Sequence, residues 1–284
     1  MEPTCNDPAV AVVFGLLCAL SWGSSSIFGA RASRTYGALA TTFWVQVVGL
    51  ILVLPLAVVR GVPDAPAKDW LLAGIAGVAY LTGSAAWTFA VRLGAVGIVT
   101  MLVATDGAMA AFVSAILGET VGLPIALGLT LVVAGVLLAA RPSEHVHITG
   151  RAVLLGLCGA ASFATVFVAG GHATGLGFLW VLLVARALSC LLALPVVMAT
   201  RVALPRLAIG DVGLMAVTDT AGYGFYLLGA EVSVAIAAVI GAQYALVTIL
   251  ISSVAFHEHL TRVQKLGVAI TLTGVATVAA LQAV

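Results

Sequence analysis

Three ionisable side chains stand deep inside long apolar stretches: Asp106 in MLVATDGAMAAFVSAIL, Arg186 in VLLVARALSCLLALP and Asp219 in LMAVTDTAGYGFYLL. If these stretches cross a bilayer, each charge costs about 2.5–3.5 kcal/mol at a helix centre, so it must face a cavity or find a partner. Two readings compete. In one, Arg186 forms a salt bridge with one Asp and locks two helices together. In the other, Asp106 or Asp219 lines a path, where it would bind a cationic group or take up a proton. The two acids and one Arg cannot all pair one to one. The leftover acid is protonated, hydrated in a cavity, or paired with a substrate.

Polar and aromatic side chains accompany these charges. Asp219, Tyr223 and Tyr226 are spaced i, i+4, i+7 and share a helix face. Tyr80, Ser84 and Trp87, 139 residues earlier, repeat that spacing. Such rings can stack on a flat substrate or hold a cation over their faces. Anchoring at the headgroup level is the alternative; it suits Trp44, Trp70 and Trp180 better than the mid-span Tyr80 and Tyr223. In SWGSSS, Ser21 and Ser25 share one face, Trp22 and Ser26 the next. Small hydroxyl residues there also serve close helix packing. Gln243 and Tyr244 are further cavity candidates; at the same offset they correspond to Ala104 and Thr105. Arg92 and Glu231, also 139 apart, stand near run ends, where they would gate a path or snorkel to the interface.

Other chemistries are excluded. No GxxxxGK[ST] phosphate loop occurs, so the chain itself shows no ATP motor, which favours secondary transport driven by a gradient. HEH (His257–His259) is not HExxH, because Thr261 stands where the second His would be. His145, His147 and His172 lie in or near connections and leave no nucleophile–base or metal constellation at membrane depth. Cys5, Cys18, Cys158 and Cys190 form no CxxC pair and read as inert thiols. No cofactor or metal is expected, and the chain is not expected to be an enzyme. A net charge of +1 gives no sign of a nucleic-acid partner.

The elements that position these residues follow from composition. Hydrophobic residues make up 62% and charged residues 8%, against roughly 25% charged in ordinary soluble proteins. Mean hydropathy is +1.21. The chain reads as a polytopic membrane protein. Ten runs are long enough to span, near 9–29, 38–59, 69–91, 95–117, 122–140, 151–170, 176–199, 211–230, 232–256 and 263–283. They lack period-two alternation, so the backbone must be satisfied as helices. The start, MEPTCNDPAV, lacks a signal peptide's basic region, so the first run is expected to stay as a span.

The chain also repeats. GLTLVVAGVLLAA resembles GVAITLTGVATVAA, with Gly128 and Gly135 each 139 residues before Gly267 and Gly274. Glu119 and Glu258 keep that offset, and VQVVGLILVLP matches ARALSCLLALP at 140. Five runs per half is odd, so the second half enters the membrane in the opposite sense. The expected fold is an all-α membrane protein of ten transmembrane helices in two inverted five-helix repeats, residues 1–145 and 146–284. Secondary transporters commonly use this plan, with the site near the midplane between halves. Glu119 and Glu258 are expected to cap or orient the turns into the fifth and tenth runs.

On ALSWGSSSIFGA, VLLVARALSCLLALP, AILGETVGLPIALGLTLVVAGVLL and VAFHEHLTRVQKLGVAITLTGV, the chain resembles EamA-type members of the drug/metabolite transporter superfamily over essentially its whole length. The resemblance implies an exporter of small metabolites, helices 5 and 10 at the periphery, and a central cavity. Its partners would be a small-molecule substrate, the bilayer and, for a coupled mechanism, protons. The family often has Pro thirteen residues before the Glu of helices 4 and 9, where this chain has Asp106 and Ala245. It often has Arg midway along helices 2 and 7, where this chain has Gln46 and Arg186. Orientation draws two opposite expectations. Connections after odd runs, with their flanks, hold nine Lys or Arg (Arg31, Arg34, Arg92, Arg141, Arg151, Arg201, Arg206, Arg262, Lys265) and those after even runs hold Arg60 and Lys68. That puts both termini outside; the resemblance implies both in the cytoplasm.

Overall fold

The computed structural model describes residues 8–93, 96–119, 122–139, 149–200, 209–255 and 261–282. The expected repeat boundary at 145/146, His145, His147 and Glu258 lie outside them. The helices are α1 (Pro8–Tyr36), α2 (Ala38–Arg60), α3 (Ala67–Leu93), α4 (Val96–Val103), α5 (Asp106–Ile116), α6 (Leu123–Ala139), α7 (Gly150–His172), α8 (Gly177–Thr200), α9 (Ile209–Ala230), α10 (Val234–Gly241), α11 (Tyr244–Ala255) and α12 (Arg262–Gln282). Six segments are long and apolar enough to cross a membrane: α1, α2, α3, α7, α8 with the turn before it, and α10 with the start of α11. No strand occurs among the described residues.

Two of the ten expected runs are broken. The fourth becomes α4 and α5, the ninth α10 and α11. No Pro causes either break. Each is one tightened turn: the Thr105 N–H reaches back to Leu102 O, and the Gln243 N–H to Ile240 O. Side chains hold the freed carbonyls. Thr105 Oγ1 donates to Leu102 O at 2.8 Å and Gln243 Nε2 to Val239 O at 2.8 Å. Asp106 then occupies the first residue of α5, where Pro is favoured because the N–H there has no helical partner. A carboxylate is favoured at the same place, since it faces the positive end of the peptide dipoles.

The breaks correct the repeat register. Their hydrogen bonds match at an offset of 138, for example Ala104 to Thr100 and Ala242 to Ala238. Asp106 therefore corresponds to Tyr244, not Ala245, and Thr105 to Gln243. The offset returns to 139 at Glu119 and Glu258, so the second half carries one residue more than the first between these points.

The two halves pack reciprocally. α1 lies on α9 and α3 on α7; α2 lies on α8. α6 and α12 pack mainly on each other, through Gly135 against Thr271 and Gly274 against Val132. Glycine permits such close helix contact where dispersion, rather than hydrophobic exclusion, joins helices in lipid. Outward positions carry Leu20, Ile51, Leu56, Leu191 and Met198 instead. α1 and α2 are joined by Gly37 alone, at φ 91°, a conformation glycine adopts without strain.

Call face 1 the side where α1 begins and α12 ends, and face 2 the opposite side. On face 1, α5 is seated on α10. Gly107 allows this, since a Cβ there would lie 2.5 Å from the Ala242 Cβ. Glu119 fastens the same seam. Its carboxylate accepts from Ser233 Oγ at 2.5 Å and from the Ala235 N–H at 3.2 Å. Glu119 thus caps α10 in the other half, whose first N–H groups lack helical partners. Glu119→Ala should lower stability by about 0.5–2 kcal/mol, as loss of a helix cap does, and thermal unfolding in detergent would register it. Arg92 and Glu231 end α3 and α9, which run in opposite senses. They stand on opposite faces and cannot form one gate together.

Candidate functional site

Gln46 on α2, Tyr80 on α3, Arg186 on α8 and Asp219 on α9 meet at mid-depth. Arg186 Nη2 contacts Asp219 Oδ2 at 2.7 Å, and Nη1 donates to Gln46 Oε1 at 2.6 Å. Tyr80 OH donates to Asp219 Oδ1 at 2.9 Å, and the guanidinium lies 4.5 Å from the Tyr80 ring centroid. Gly49 makes room: a Cβ there would lie 3.0 Å from Arg186 Nε. Arg186 is thus held by side chains of three other helices and has no freedom to serve Asp106.

Asp106 is the acid left over. It is 1% exposed. Its Oδ1 accepts the Gly107 N–H at 2.6 Å and its Oδ2 accepts from Tyr244 OH at 3.3 Å. Among the described residues the ion pairs are Arg186–Asp219 and the peripheral Arg31–Asp211, so no cation meets Asp106. Trp22 stands beside it, edge-on to Tyr244 with ring centroids 5.9 Å apart, and donates to Asp219 O at 3.0 Å.

These groups border a cavity of about 50 Å³, lined by Trp22, Ser25, Ser84, Trp87, Asp106 and Tyr244 among others. It also touches Phe163, Met215 and Asp219. Ser25, Ser26, Trp87 and Met215 lie on the face-2 side of their helix centres. The cavity therefore extends from mid-depth toward face 2, while α5 and α10 close face 1.

Sequence spacing singled out residues that stand elsewhere. Tyr226 donates to Phe167 O at 2.5 Å, and Tyr223 packs between Tyr80 and Tyr226, with ring centroids 5.1 and 6.2 Å away. Both are buried behind the cavity, because α7 covers their ends: Gly170 faces the Tyr223 hydroxyl and Gly171 the Tyr226 hydroxyl. Gln243 is spent on the α10 carbonyl and borders a separate crevice near Ala104 and Val133. Phe163 was not singled out, although a signal existed. Trp22 sits on Gly222 and Phe163 on Gly83, and these glycines are 139 apart. A Thr42–Thr88 hydroxyl pair at 2.7 Å, joining α2 to α3, had no sequence signature.

The EamA-like transporter family model matches the chain twice, at residues 9–141 and 150–280. The chain belongs to the EamA-like transporter family. It is a multi-pass membrane protein built from two EamA repeats, of a transporter rather than an enzyme family. No curated protein matches it by sequence. One solved crystal structure is similar at 15% identity, covering 96% of this chain and 97% of that one, with a TM-score of 0.76. That likeness concerns the fold. Within the EamA frame, the helix breaks survive here without Pro, and the freed position carries the unpaired acid.

Proposed function

We propose that this EamA protein is a secondary transporter with ten transmembrane segments, exporting small metabolites or drug-like compounds by alternating access of its two repeats. The observation that carries this is Asp106, an acid without a cation, bordering a mid-depth cavity that one face closes and the other leaves open. A sealed core would have suited a scaffold or receptor. The helices α4 with α5, α6, α9 and α12 supply the remaining four passes beside the six long apolar segments. A proton gradient is the drive, with Asp106 as the site that loads and unloads.

The test is substrate flux in proteoliposomes with and without a pH gradient. Wild-type flux should rise with the gradient. Asp106→Asn keeps the hydrogen-bond acceptor but cannot change charge, so its flux should no longer respond. Gradient-stimulated flux in Asp106→Asn would remove Asp106 from coupling.

A further inference from the structure

Repeat mates touch one another in this structure. Gln46 meets Arg186 across 140 residues, Tyr80 meets Asp219 across 139, and Asp106 meets Tyr244 across 138. Trp22 and Phe163, equivalent through their glycine seats, have ring centroids 6.5 Å apart. A residue that contacts its own mate lies beside the axis relating the halves. In an inverted repeat that axis runs in the membrane plane. If the halves exchange conformations, contact between mates maps onto itself. These pairs therefore keep company in both states, while off-axis seams such as Gly107 on Ala242 open and close.

The two axial acids differ. Asp219 is neutralised by Arg186 in place. Asp106 stays beside the axis, reachable from each face in turn, with Trp22 and Tyr244 next to it and no cation. A buried carboxyl must be neutral overall, through a proton or a positive ligand. We propose that the cavity binds a flat organic cation, its charged nitrogen on Asp106 and its ring system against Trp22 and Tyr244, in exchange for the proton Asp106 carries when the cavity is empty.

The balance is simple. The protonated carboxyl releases its H⁺ to water on the open face, and the carboxylate pairs with the cation; no net charge enters the site. Trp22 and Trp87 supply ring faces that favour cations. Asp106 faces two titratable groups, Tyr244 on α11 and Cys18 on α1, with Asp219 of α9 across the same cavity. α4 and α10 carry none, and Arg151, Cys158 and His172 of α7 are not among the lining residues.

The inference rests on the transport reading but is tested by binding. The probe is N-methylquinolinium, permanently charged, compared with neutral quinoline; tryptophan quenching in purified full-length protein reports binding. The cation should bind at least tenfold tighter than quinoline. In weakly buffered solution one proton should be released per cation bound, and affinity should fall toward tenfold per pH unit on acidification. Asp106→Asn should lose roughly 30-fold or more in affinity, the scale of a desolvated charge pair, and release no proton. Asp106→Glu should restore release, which separates charge from folding. Equal binding of quinoline, or proton release that persists in Asp106→Asn, overturns the proposal. Proteoliposome flux of another solute that ignores N-methylquinolinium would refute the cation while leaving transport standing. Absence of any flux alongside proton-coupled binding would refute transport instead.

Discussion

Asp219→Leu should cost about 3–5 kcal/mol of stability, the scale for stripping one partner from a buried ion pair. Arg186→Met should cost less. The reason is the asymmetry of the pair: the Arg186 side chain is 1% exposed and the Asp219 side chain 14%. Without Asp219, the guanidinium keeps its charge, since it cannot be deprotonated in a protein. It would retain only Gln46, Tyr80 and Thr220 as partners. Without Arg186, Asp219 keeps the Tyr80 hydroxyl and borders a cavity that water enters. The double variant should cost less than either single one, because removing both charges leaves neither uncompensated. Thermal unfolding of the four proteins in one detergent gives the cycle. Equal losses from both single variants would mean that burial of the guanidinium does not decide the energetics.

Gly107→Val should shift the protein away from the state closed at face 1. The added side chain would meet the Ala242 Cβ and the Ala238 carbonyl, whose oxygen lies 2.6 Å from where a Cβ would stand. Backbone cannot yield as a flexible side chain can. Overpacking of this kind costs about 1–3 kcal/mol. Charged to one of two states, that cost moves their ratio by roughly 5- to 150-fold. Cys18 provides a native reporter. It is fully buried on the face-1 half of α1, and Gly241 of α10 covers it. With Cys5, Cys158 and Cys190 replaced by Ser, the rate at which a small thiol reagent modifies Cys18 should rise by a factor in that range. An unchanged rate with unchanged stability would show that the α5–α10 seam is not the moving contact. Glu119→Ala, which loosens the same seam without a clash, should raise the rate less.

Much of the frame was legible in the chain because duplication leaves marks that do not depend on contacts. Gly135 and Gly274 keep their spacing since each lets α6 and α12 approach closely, against the carbonyls of Gly267 and Gly128. Glu119 and Glu258 keep the same offset in the sequence. What escaped was the interruption of the fourth and ninth runs. Breaks are read from Pro, and neither has one; Thr105 and Gln243 hold them through side-chain bonds to carbonyls, a role that their residue types do not advertise. The register error followed, since a constant offset hides the single residue that the second half gains between Tyr244 and Glu258.

For the site, counting charges established that one acid must lack a partner, but not which. Arg186 lies closer in sequence to Asp219 than to Asp106, yet sequence distance does not decide contact. Packing does: α8 and α9 bring Asp219 to 2.7 Å, and Gln46 and Gly49 of α2 hold the guanidinium there. Likewise, helical spacing placed Tyr223 and Tyr226 on the face of Asp219, but α7 packs on their hydroxyl ends and turns them into core. The sequence by itself determined a membrane bundle, its duplication, and an excess buried acid, because composition, offset and charge are properties of the chain alone. Only the tertiary structure decided that the excess acid is Asp106 and that it touches its own repeat mate. Pairing depends on which helices pack, and a symmetry axis exists only once the two halves are assembled.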